Sequence, residues 1–149
     1  MNSIPFGRIF NTEGPWCQNT PVPLTGTLVL AELARIPLPG GYMGPGGQLD
    51  LDFIFTSTAV AAQTLAVQLN GTEIFTVTVA AAGHTREVLT FTNRNDPAVQ
   101  ILNSTEAPDF VITDFDTEAD MVLTVTGILA DITDTLTLEK ITSSFTYRT

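Results

Sequence analysis

Apolar and polar residues alternate along most of this chain. Leu49, Leu51, Phe53 and Phe55 occupy every second position, with Gln48, Asp50 and Asp52 between them. A period of two predicts a strand with one buried face. Leu65, Val67 and Leu69 repeat the pattern and run directly into Asn70-Gly71. That dipeptide accepts positive φ at both central positions of a type I′ turn, so a hairpin to Phe75, Val77 and Val79 is expected. Further strands are expected over 27–33, 87–92, 98–103, 109–113 and 121–128, the last carrying Met121, Leu123 and Val125 at alternate positions. A terminal strand over 134–147 begins with Leu136 and Leu138, then changes parity to Ile141, Phe145 and Tyr147. The parity change predicts a β-bulge near Glu139-Lys140.

No segment sustains a 3.6-residue period with caps. The best helical candidate, Ala59 to Ala66, is short and rich in Thr and Ala, and reads as a connection. The expected fold is all-β, an antiparallel sandwich of eight or nine strands, since that many antiparallel strands must close into a barrel or pack as two sheets. A jelly roll is the first choice. An immunoglobulin-like sandwich is second, weakened because the Cys–Trp–Cys spacing is missing.

Residues 1–23 differ from the rest. Pro5, Gly7, Gly14, Pro15, Pro21 and Pro23 break helices and interrupt ladder hydrogen bonds, which predicts an extended arm ahead of a β-domain over 24–149. The arm is not polar. Ile4, Phe6, Ile9, Phe10 and Trp16 each gain roughly 1.5–3 kcal/mol when fully buried, so the arm is expected to lie on a surface. Ile4, Phe6, Arg8, Ile9, Phe10 and Trp16 are its candidate partner-binding residues. The surface is its own domain, a neighbouring copy or another protein.

Composition narrows the functional classes. Of 149 residues, 44% are hydrophobic and 15% charged, and 24 threonines supply much of the polarity. A formal net charge of −10 argues against nucleic acid, whose phosphates need a clustered basic surface. No apolar run approaches the ~20 residues of a membrane-spanning helix. Cys17 is the only cysteine and His84 the only histidine, which excludes an internal disulfide framework and leaves little for imidazole catalysis. Ten acids and no basic residue lie between Asn95 and Glu139. The expectation is one strongly negative end or face, able to repel copies of itself or meet a basic partner.

Four patterns could carry chemistry. Asp114, Asp116, Glu118 and Asp120 stand at alternate positions and could offer oxygens to Ca²⁺. Ala119 stands where an EF-hand has its turn glycine and Val125 at its twelfth position, so the run reads as a solvated acidic turn. The loop Pro37 to Gly47 is glycine-rich, but it leads into a strand and holds no cation, unlike a phosphate cradle. Its Tyr42 and Met43 are candidates for packing or for contact with a partner. Cys17 and His84 lack any activating frame for nucleophilic catalysis. Paired carboxylates for glycoside hydrolysis single out no particular pair. Asn70-Gly71-Thr72 and Asn103-Ser104-Thr105 match the glycosylation pattern and read as turns. The chain is not expected to be an enzyme, and no cofactor or metal is called for.

Several stretches resemble tailed-bacteriophage virion proteins. They are Leu24-Thr25-Gly26-Thr27, Ile36-Pro37, Met43-Gly44-Pro45-Gly46-Gly47-Gln48-Leu49, Thr64-Leu65-Ala66-Val67 through Gly71-Thr72, and Asn93-Arg94-Asn95. The resemblance covers residues 24–95, about half the chain. It implies a β-sandwich or jelly-roll module, often trimeric, on a capsid surface or an appendage tip. A fibre tip normally carries a shaft ahead of its head, whereas only some 23 residues precede the β-domain here, without heptads or repeats. A capsid decoration or cement protein is therefore expected. It would be a homotrimer assembled in the bacterial cytoplasm, binding the major capsid protein or another virion protein across capsomers. The alternative is an appendage or fibre-head module binding host surface glycans through Trp16, Tyr42 or Tyr147.

Overall fold

A computed structural model describes residues 9–11, 17–105 and 111–149 of the chain. It is a two-sheet antiparallel β-sandwich with no helix among the described residues. Two strands are only three residues long, β1 (Ile9–Asn11) and β9 (Val111–Thr113). The others are β2 (Val22–Thr25), β3 (Ala31–Leu38), β4 (Gln48–Ser57), β5 (Gln63–Leu69), β6 (Thr72–Val79), β7 (Gly83–Asn93), β8 (Gln100–Ser104), β10 (Met121–Ile128) and β11 (Thr135–Thr146). Eight of these longer strands and the short β9 fall where strands are expected from the alternation, and β2 is an addition.

The pairing is that of a jelly roll. Sheet order is β2-β11-β4-β7 in one layer and β3-β10-β5-β6 in the other. Successive antiparallel pairs β2/β11, β3/β10, β4/β7 and β5/β6 thus alternate between the layers, as when one long double ribbon is rolled up. The β8–β9 hairpin is an addition that widens the first sheet beyond β7.

β4 is central in its sheet, and one face of it makes the core. Leu49, Leu51, Phe53 and Phe55 are all buried, and the rings of Phe53 and Phe55 stack nearly parallel with centroids 6.0 Å apart. The opposite face of β4 is polar and internally paired. Asp50 accepts from Gln48 and Thr90, and Asp52 accepts two hydrogen bonds from Arg86 Nε and one from Nη2.

The expected local devices are present. Asn70 (φ 50°) and Gly71 (φ 78°) form the two-residue turn joining β5 to β6. The ladder between β11 and β4 slips between Leu138 and Lys140, and burial passes from Leu138 to Ile141 and Phe145 across that bulge.

Several boundaries differ from the sequence reading, β7 beginning at Gly83 and not at 87 among them, and two bear on the surface. The strand expected at 27–33 runs instead over Ala31–Leu38, and Leu28, Val29 and Leu30 stand outside it, 52%, 71% and 59% exposed. β3 is an edge strand, so Pro37 is tolerated within it and the pairing extends further than the apolar run suggested. Second, the sandwich begins at Val22 rather than Leu24.

Part of the arm lies against its own subunit. Ile9–Asn11 pairs with Ser144–Thr146, Gln18 bridges to Ile141, and β2 pairs with Thr135–Leu138. All three segments follow the same outer edge of β11. Ile4, Phe6, Arg8 and Trp16 lie outside the described residues, and for Ile9 and Phe10 the description is of the backbone pairing alone.

Candidate functional site

The roll sorts the loops into two unlike ends. At one end are residues 39–47, the Asn70-Gly71 turn, 94–99, 114–120 and the last residues of the chain. This end gathers Asp96, Asp114, Asp116, Glu118 and Asp120 beside Arg94 and Arg148, five of the ten acids of the 95–139 stretch, and is negative on balance. The run 114–120 is pinned by buried amides rather than arranged around an ion. Asn93 Nδ2 donates to Gly44 O (2.7 Å) and Thr117 Oγ1 (2.8 Å). Gln100, fully buried, donates to the carbonyls of Pro97 and Phe115 and accepts from Thr113 Oγ1 and Phe115 N. Asp116 accepts from the Glu118 N–H, and Asp120 from the N–H of Gly40. Among the described residues no three His, Cys, Asp or Glu side chains gather as a metal site would require.

The glycine-rich loop packs into this same end. Met43 is 1% exposed, a core residue, so its side chain is removed from the surface a partner could touch. Its backbone is held from both sides, the Met43 carbonyl accepting from the Arg148 N–H at 3.0 Å and packing closely against Gly47. Tyr42 remains 36% exposed and lies against Phe145, ring centroids 5.6 Å apart. Tyr147 lies over Gly44, whose φ of 69° suits a glycine. Cys17 and His84 are not brought together. Cys17 Sγ sits 3.9 Å from Ser143 Oγ, level with Leu51 on β4, whereas His84 pairs with Thr56, five residues further along that strand.

The other end is apolar. It is built from residues 26–30, 58–62, 80–82 and 129–134, in which alanines and branched aliphatics predominate and the only charges are Asp131 and Asp134. Seven large apolar side chains stand out to solvent among the described residues, and six of them are here: Leu28, Val29, Leu30, Val60, Ile128 and Ile132. Register places them together. Ala31 pairs with Gly127, Ile128 with Thr64 beside the 58–62 loop, and Thr25 with Thr135 just after Ile132. Val60 is 94% exposed. Soluble monomers rarely expose a contiguous apolar patch above a few hundred Å², and larger ones mark interaction sites.

These loops are held in place. Gln63, 1% exposed, donates to Asp134 Oδ2 (3.0 Å) and Ala61 O (3.3 Å), and its Oε1 accepts from the Ala130 N–H (2.9 Å). One buried amide therefore ties loop 58–62 to loop 129–134. Asp131 accepts from both the N–H and the hydroxyl of Thr133, which holds its carboxyl below the ordinary aspartate range. A lowered carboxyl pKa contributes stability above the unfolded value, and that contribution fades as pH falls through the folded one. An NMR titration is expected to place the Asp131 midpoint below that of a model aspartate, and Thr133→Ala to move it back up.

The outer face of the second sheet carries two shallow depressions that meet at Val122. One, about 320 Å³, is lined by Glu32, Arg35, Gln68, Asn70, Gly71 and Thr124. The other, about 330 Å³, is lined by Pro37, Leu38, Pro39, Asp120 and Met121. Arg35 holds the Glu32 carboxylate through Nε (3.0 Å) and Nη2 (2.7 Å), and that pairing raises its guanidinium pKa further.

No protein-family model matches the chain, and no curated protein matches it. Solved structures are similar to it in shape. The insecticidal delta-endotoxin Cry8Ea1 of Bacillus thuringiensis superposes with a TM-score of 0.50 at 10% identity over 83% of this chain, which spans only 19% of the toxin's length. A carbohydrate-binding module CBM36 in complex with calcium and xylotriose gives 0.43 at 13% identity, covering 90% of this chain and 86% of that one. A family 35 carbohydrate binding module from Clostridium thermocellum gives 0.40 at 11% identity, over 92% and 96%. The likeness is one of fold. The chain is a β-sandwich, and its role has to be argued from its own surface.

Sequence reasoning missed this apolar end. Leu28-Val29-Leu30 was visible as an apolar run, but an exposed run and the start of a buried strand read alike. Val60 and Ile132 are isolated in sequence and gave no signal.

Proposed function

We propose that this chain is a structural assembly protein of a virion, of the capsid decoration or cement kind. It holds other polypeptides together by burying apolar surface. The observation that carries this reading is the collection of six exposed aliphatic side chains at one end of the sandwich, five on three loops and Ile128 at the end of β10. A fully buried Val, Leu or Ile gains roughly 1.5–3 kcal/mol over an exposed one, so several partly exposed ones together supply a docking affinity without any catalytic group. Buried Gln63 sets these loops in advance, which lowers the ordering cost of binding. The resemblance over residues 24–95 supplies the virion setting.

The test is add-back to shells of the source particle that lack this chain. The wild-type protein is expected to co-sediment with the shells. Leu30→Ser/Val60→Ser is expected to bind at least tenfold more weakly with an unchanged urea midpoint, because both side chains stand outside the core. Equal binding by the two proteins, or none by the wild type, would sink the reading.

A second reading, glycan binding by an appendage module, is favoured by the polar depression of Glu32, Arg35, Gln68, Asn70 and Thr124, which offers hydrogen-bonding groups on a rigid sheet. It expects a neutral oligosaccharide to bind the wild type and not Gln68→Ala. A silent glycan array beside tight shell binding decides for the first reading.

A further inference from the structure

We infer that the apolar loop end is occupied by residues 1–8 of a second copy of this chain, in a head-to-tail contact. The inference rests on reading the loop end as a docking surface and names what docks there.

Chain direction is the first argument. β1 enters antiparallel to β11, with Ile9 opposite Thr146. Residues 1–8 therefore join the sandwich at the acidic end. The apolar loops begin at the other end of β11, beside Thr135. Eleven residue steps separate Thr146 from Thr135, roughly 37 Å at the antiparallel rise. Ile4 is five residues from Ile9 and reaches at most about 18 Å from it, and Phe6 less. Ile4 and Phe6 thus cannot cover their own subunit's apolar end. In a second copy they can.

Chemical match is the second. The arm segment brings Ile4, Phe6 and one charge, Arg8. The loop end offers Leu28, Val29, Leu30, Val60 and Ile132, with Asp131 exposed among them. An incoming arm brings its single basic side chain, Arg8, to a loop end whose charged side chains, Asp131 and Asp134, are both acidic. Opposite charges at a rim fix register and suppress the wrong pairing.

A contact between two different patches is heterologous, so it closes into a ring or propagates as a filament. A ring of three agrees with the trimer that the resemblance implies.

Sedimentation velocity on two full-length variants tests this. One carries Ile4→Glu/Phe6→Glu, with the loop end intact. The other carries Val29→Glu/Val60→Glu, with the arm intact; those positions are 71% and 94% exposed, so the core is untouched. Wild-type protein is expected to self-associate at micromolar concentration, and each variant alone to lose at least a hundredfold in that affinity. Mixed in equal amounts, the variants are expected to form a one-to-one complex, since one still has an arm and the other still has a loop end. A monomeric wild type overturns the inference, as does an arm variant that still self-associates or a mixture that stays monomeric. A monomeric wild type that nevertheless binds shells through Leu30 and Val60 would leave the proposed function standing without this contact.

Discussion

Gly47→Ala is expected to destabilise the protein by about 3 kcal/mol or more, at the upper end of what overpacking usually costs. A methyl group at this position would collide with the carbonyl oxygen of Met43 and fall 2.7 Å from that of Thr146. Both obstacles are backbone, so no side chain can swing aside. The carbonyl of Gly47 also accepts from the Asn93 N–H at 2.9 Å, which ties the loop to β7. Moving Gly47 outward would therefore break that bond and lift Met43 from the core. Gly40→Ala is a companion case, with its methyl group driven into the Glu118 carbonyl. Urea unfolding followed by tryptophan fluorescence and circular dichroism reads both. An unchanged midpoint for Gly47→Ala would mean that the 39–47 loop is far more yielding than its contacts indicate.

Phe53→Ala is expected to cost about 3–5 kcal/mol, the usual range for deleting a fully buried aromatic side chain. Phe53 lies in mid-strand on β4, opposite Ile141 on one side and Glu87 on the other, with no exposure. Its neighbours belong to a sheet paired on both edges and cannot close the cavity. For a domain of this size such a loss is a large share of a total stability of 5–15 kcal/mol. Val60→Ala provides the contrast. Val60 is the most exposed apolar side chain at the loop end, 94%, and its truncation is expected to leave stability within about 0.5 kcal/mol, as surface changes do. If both substitutions shifted the urea midpoint alike, Val60 would be a core residue of the working protein and not part of a docking surface.

What was legible in the sequence follows from what is local. Leu49 to Phe55 announced β4 because one-sided burial imposes a two-residue period on any strand. Asn70-Gly71 announced its hairpin because few residues accept positive φ. The bulge at Glu139 was readable as a parity change inside a single strand. Met43 and Leu28 show where local reading stops. Both are aliphatic residues in or beside loops, yet one is 1% exposed and the other 52%. Nothing within a few residues of either distinguishes them. Met43 joins the core cluster between the two sheets, whereas the end of β2 leaves Leu28 beyond the last paired residue. The buried amides of Gln63, Asn93 and Gln100 were invisible for the same reason, since each answers loops far away in sequence.

The sequence by itself determined an all-β chain, most strand positions, the central core and the excess of negative charge over residues 95–139. Those properties depend on residue type and on spacing along the strand. Only the tertiary structure decided that residues 26–30, 58–62, 80–82 and 129–134 share one end while the acidic run occupies the other. Which end a loop occupies is set by antiparallel pairing between strands as remote as β2 and β11, and that pairing comes from closing two sheets over one core.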